Sequence, residues 1–132
     1  LVWDGARPWV VEVNPRPVAS LESIDAAYGV RSFAAHLEAC AGRLPAAVTA
    51  PSGAAGKAVL FATEDLRVPD TSEWTARGIR DVPHPGEAIA AGRPICTLVA
   101  TGPSPESVLA ELEARAAALR GELQEVGVDA VA

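Results

Sequence analysis

Polar and apolar residues alternate most regularly near the start of the chain. Trp9, Val11 and Val13 interleave with Val10, Glu12 and Asn14. A two-residue period is that of a half-buried strand, with one apolar face and a carboxylate and an amide on the other. Asn14 and Arg16 each precede a proline, and a residue in that position is pushed toward extended conformations. Glu12, Asn14 and Arg16 therefore share parity along a stiff segment. Upstream, Leu1-Val2-Trp3 reads as the tail of a strand and Asp4-Gly5 as a turn, which predicts a hairpin.

The period then changes to that of helices. Leu21, Ile24 and Tyr28 predict a short helix, with Ser20 as its cap, Glu22 in the first turn and Gly29 as its left-handed stop. A second helix from Ser32 places Phe33, Leu37, Cys40 and Leu44 on one stripe. His36 lies beside that stripe and reads as a structural or exposed histidine. Residues 44–56 are rich in Ala, Pro, Gly and Ser and read as a connector. Gly53, Gly56 and Lys57 do not have the spacing of a phosphate-binding P-loop.

Residues 57–63 are apolar throughout and predict a strand covered on both faces. Only short extended pieces are expected between Thr63 and Gly92, with Trp74, Ile79 and Val82 forming a small core. Asp81 to Gly86 reads as a rigid loop rather than a reactive centre. Residues 94–100 predict a second buried strand. Ser104-Pro105-Glu106 is a strong helix start. Leu109, Leu112, Ala116, Leu119 and Leu123 follow at helical spacing, and Gly127 is the expected end.

Composition narrows the class. The chain has 132 residues, of which 49% are hydrophobic and 21% charged, as in globular proteins rather than disordered ones. Its net charge is −6 and no basic patch stands out, which argues against a nucleic-acid partner. No apolar run reaches membrane-spanning length, and no signal peptide is visible. Cys40 and Cys96 are isolated, as expected in a reducing cytoplasm. With no CxxC and no nearby histidine pairing, they are not expected to bind metal. Methionine is absent even at position 1, so the chain is read as part of a longer protein or as a trimmed product.

The chemistry of the first segment rests on residue type. Mg²⁺ takes one or two hard oxygen ligands from protein and leaves the rest to phosphates and water, a role that Glu12 and the Asn14 amide oxygen fit. Arg16 offers a planar fork for a phosphate or carboxylate. On spacing alone, a solvated polar strand face is the simpler reading.

The run Asp4-Gly5-Ala6-Arg7-Pro8-Trp9-Val10-Val11-Glu12-Val13-Asn14-Pro15-Arg16-Pro17 resembles the last catalytic hairpin of the ATP-grasp superfamily. The resemblance implies that Glu12 and Asn14 are ligands of the Mg²⁺ that carries ATP phosphates. It implies that Arg16 faces the transferred phosphoryl group or an acyl phosphate. A further acidic ligand of that superfamily falls just before Leu1. The strand at residue 57, Asp81-Val82-Pro83-His84-Pro85-Gly86, the strand Gly92 to Gly102 and the closing helix resemble the small C-terminal lobe of ATP-grasp carboligases.

The expected fold class is thus α+β. Residues 1–45 form the end of an ATP-grasp core, a β-hairpin with two helices. Residues 46–56 form a linker, and residues 57–132 a small β-rich lobe closed by an amphipathic helix. The implied function is that of an ATP-dependent carboxylate ligase. Its cofactors are Mg²⁺ and ATP. Its partners are a small carboxylate and the upstream part of the same polypeptide, and the open hairpin edge favours self-association. The alternative is a non-catalytic binding or assembly module that presents the C-terminal helix.

Overall fold

The computed structural model describes residues 1–12, 16–44, 50, 51 and 53–129, residues 125–129 by their backbone alone. The described residues form a mixed α+β fold with three helices and three small antiparallel sheets. The strands are β1 (Val2–Trp3), β2 (Pro8–Trp9), β3 (Ala54–Phe61), β4 (Leu66–Arg67), β5 (Ile79–Arg80), β6 (Ala88–Ile89) and β7 (Pro94–Gly102). The helices are α1 (Leu21–Tyr28), α2 (Ser32–Cys40) and α3 (Pro105–Asp129). No described helix is long and apolar enough to cross a membrane.

The core lies in the second half of the chain. β7 is central in a three-stranded sheet of order β3-β7-β5. Ile95, Cys96, Thr97 and Leu98 are buried in succession, as expected of a strand covered on both faces. α3 packs on β3 and β7, and Val108, Leu112 and Leu119 enter the core. Glycine permits the close approach: a Cβ on Gly56 would stand 2.9 Å from Val108 Cγ1 and 3.3 Å from Leu112 Cδ1. The helix starts on a reciprocal serine cap. The Ser107 amide donates to Ser104 Oγ at 3.3 Å, and the Ser104 amide donates to Ser107 Oγ at 3.2 Å. Two of the otherwise unpartnered donors are satisfied in this way.

Arg115 fastens the helix from its flank, donating to the carbonyls of Val99 at 2.7 Å and Arg77 at 3.0 Å. Arg77 in turn grips Glu122 with two nitrogens, at 2.8 and 2.7 Å. That contact raises the Arg77 pKa and lowers that of Glu122.

Several elements differ from the sequence-based expectations. β3 begins at Ala54, inside the stretch read as connector, while residues 45–49 and 52 lie outside the described residues. β3 is an edge strand, not one covered on both faces. Gly56 and Leu60 belong to the side that meets α3, whereas Val59 and Phe61 are exposed. α1 lies against β3. Its Glu22 carboxylate accepts from Lys57 Nζ and Arg80 Nε, each at 3.2 Å. Ser20 makes no side-chain cap bond, although Gly29 does adopt the left-handed stop, with φ 62°. α3 continues through Gly127 to Asp129, because one glycine inside a packed helix costs only about 1 kcal/mol. Val108, rather than Leu109, opens its buried stripe. The short strands β4, β5 and β6 and the burial of Trp74 and Ile79 agree with expectation.

Candidate functional site

The candidate site begins at the β1–β2 hairpin, whose turn is held from within. Asp4 Oδ1 accepts from the Ala6 and Arg7 amides at 2.9 Å each, and Asp4 Oδ2 accepts from Trp9 Nε1 at 2.6 Å. The Arg7 guanidinium lies 4.1 Å from the centre of the Trp9 ring, a cation–π contact. The Trp9 indole and the two amides hold the Asp4 carboxyl below its ordinary pKa. This aspartate is committed to the turn.

The strand is shorter than the sequence pattern predicts. Val2 pairs with Trp9 and Trp3 with Pro8. At that register Val10 falls opposite Leu1, but the two are not paired. The ladder stops at Trp9. The apolar face expected to be half-buried is exposed at Trp9 and Val11, and Trp3 and Val10 also face solvent, Trp3 with 64% of its surface. A two-stranded ribbon has no layer to cover either face.

The three predicted side chains meet different fates. Glu12 is exposed, beyond the end of β2, and makes no ion pair with any described residue. Arg16 is exposed at a bend and is likewise outside the ion pairs of the described residues. Asn14 lies outside the described residues. Glu12 is therefore an accessible carboxylate of the kind a hard cation accepts, and Arg16 an accessible guanidinium. β2 ends at Trp9, and residues 13–15, which would align Glu12 with Arg16, lie outside the described residues.

Clefts occur elsewhere. One of about 630 Å³ lies between the β3–β4 connection and α3, with Arg67, Arg120 and Gln124 among its walls; neither Glu12 nor Arg16 lines it. The two cysteines are free and contrast sharply. Cys96 is in the core, where burial and the Asp81 carboxylate push its thiol pKa to about 11. Cys40 is exposed, and its Sγ lies 3.7 Å from His36 Nε2. The sequence reading found no histidine near either cysteine. The missed signal is a four-residue separation inside a helix, which places two side chains on one face. Comparison with known protein families, with curated sequences and with solved structures returns no match.

Proposed function

We propose that the chain supplies the last phosphate-facing segment of an ATP-grasp carboxylate ligase. Glu12 and Asn14 are Mg²⁺ ligands in this reading, and Arg16 stabilises the transferred phosphoryl group. The observation that carries it is the exposure of Glu12 and Arg16, both left outside the ion pairs of the described residues. A glutamate used only to hold the fold would be expected in a contact such as that of Glu22 with Lys57 and Arg80. The uncovered apolar side chains of the hairpin also fit a segment that belongs against further structure.

In the proposed reaction the substrate carboxylate attacks the γ-phosphorus of ATP, ADP leaves, and a nucleophile then displaces phosphate from the acyl phosphate. Bound Mg²⁺ supplies neutralisation of the triphosphate charge. Glu12 offers it a carboxylate oxygen. Arg16 presents two parallel N–H donors to the phosphoryl oxygens. In this reading adenine and the remaining phosphates are held by residues outside this sequence. The alternative reading, a binding module that presents α3, has less support, because the buried stripe of α3 is already taken up by the chain's own sheet.

The reading makes paired demands. The 132-residue chain alone gives no tight binding in a calorimetric titration with Mg-ATP. In the longer ligase the reading requires, Glu12→Gln and Asn14→Ala each abolish Mg-ATP-dependent ADP release while leaving the circular dichroism spectrum unchanged. Near-normal turnover in either variant would remove the assignment.

A further inference from the structure

α2 carries a pair of side chains with the geometry of half a tetrahedral metal site. Cys40 and His36 lie on successive turns, and Cys40 Sγ is 3.7 Å from His36 Nε2. A tetrahedral Zn²⁺ with bonds of about 2.3 Å to sulfur and about 2.0 Å to nitrogen spans about 3.5 Å between them. The observed separation is thus near that needed to bind one ion without moving the helix. Both side chains are exposed, so ligation requires no opening of the core. Thiolate and imidazole together favour zinc-like ions over magnesium or calcium.

Two ligands fill half of a closed structural site. Among the described residues no group of three or more His, Cys, Asp or Glu could hold a metal. The surface around the pair indicates what supplies the rest. At 3.6 residues per turn, Phe33, His36, Leu37 and Cys40 fall within about 100° of arc. Phe33 is 63% exposed and Leu37 55%, so the face that carries the ligands also carries uncovered apolar surface. A two-fold axis beside α2 would bring a second Cys–His pair to the same ion and set the two apolar patches against each other. Symmetric pairing uses one patch twice and closes on itself.

The geometry points to a metal-bridged homodimer: His36 and Cys40 from two copies of this chain bind one zinc-like ion in an S₂N₂ tetrahedron. Each thiol loses its proton to solvent on ligation, so two protons are released per ion bound, and affinity falls as pH falls. This inference does not depend on the ligase reading and concerns different residues.

The test is a Co²⁺ titration of the reduced 132-residue chain, followed by visible absorption and by light scattering of the eluted species. The expected result is intense tetrahedral thiolate–cobalt bands that saturate at one ion per two chains, with a doubling of mass. Cys40→Ser and His36→Ala each weaken cobalt binding at least tenfold and keep the mass at that of one chain. Cys96→Ser, outside the site, leaves bands and stoichiometry unchanged if its circular dichroism spectrum matches that of the parent. Zn²⁺ displaces the cobalt with the dimer intact. Saturation at one ion per chain without a change in mass would overturn the bridged dimer. So would bands that survive Cys40→Ser, or the absence of any thiolate–cobalt band, in which case the Cys40–His36 contact is a hydrogen bond alone.

Discussion

The first 44 residues and the segment from Ala54 onward are both rich in apolar side chains, yet they use them in opposite ways. In the later segment Leu60, Leu98 and Leu119 meet in one core. In the earlier one, neither α1 nor α2 has a buried residue, and both strands of the hairpin are exposed. Local stop and start signals act in both: Gly29 closes α1 and Ser104 opens α3, although Ser20 makes no cap bond. Local signals thus decide whether an element forms, and the presence of a second layer decides whether it buries anything. Propensity and capping contribute about 1 kcal/mol at a position, whereas fully burying a large apolar side chain contributes about 1.5–3 kcal/mol.

Matched truncations on the two sides of that divide give the largest expected effect. Leu119 is 1% exposed, and Leu119→Ala should cost about 3 kcal/mol through lost transfer energy and the cavity left behind. Leu37→Ala, at an exposed position of α2, should change stability by less than about 0.5 kcal/mol. Urea unfolding of the two variants in metal-free buffer measures the difference directly. Equal losses would mean that α2 is buried in solution and would erase the contrast between the segments.

The same contrast explains what could be read from the residues alone. The two long strands, α3 and the burial of Trp74 and Ile79 followed from apolar runs, caps and spacing, because the partners that cover them lie in the chain; α1 and α2 followed from spacing and have no buried residue. The strand expected to run through Trp9 to Val13 failed as far as it is described. Alternation reports a capacity to be half-buried, and only pairing and a covering layer realise it; the ladder ends at Trp9, and Val10 and Val11 are exposed. β3 was misjudged for a related reason, since a uniformly apolar run does not say whether a strand is central or at an edge. Of the site, Glu12 and Arg16 were legible as residue types in a pattern, and both are exposed. Their common orientation rests on residues 13–15, which lie outside the described residues. The Cys40–His36 contact is carried by a four-residue helical separation, which neither a CxxC spacing nor adjacency in sequence reveals.

A smaller effect should come from loosening the joint between the segments. Glu22 on α1 meets Lys57 on β3 and Arg80 on β5, and its side chain is 37% exposed. Solvent screening limits such pairs, so Glu22→Ala should lower global stability by less than about 1 kcal/mol. The change should be local. In hydrogen exchange, the amides of α1 should lose protection while those of α3 keep theirs, and added salt should shrink the difference between parent and variant. Loss of protection in both helices alike would show that the joint is part of one cooperative unit.

The smallest expected effect isolates the hairpin from everything else. Asp4 has its carboxyl pKa lowered from 3.8, chiefly by the Trp9 indole and then by the Arg7 and Ala6 amides. A carboxyl with a depressed folded-state pKa stabilises its surroundings above its unfolded value, and that contribution is lost as pH falls through the lower folded value. The Trp9 indole N–H resonance should therefore move in acid with a midpoint below 3.8, and Asp4→Asn should abolish that titration. Because the hairpin buries none of its own residues, the urea midpoint of the Asp4→Asn variant at neutral pH should equal that of the parent. A midpoint at or above the ordinary carboxylate value would mean that the Asp4–Trp9 contact is not made in solution. A fall in the urea midpoint would tie the hairpin to the core, and the division between a self-sufficient later segment and an uncovered earlier one would have to be redrawn.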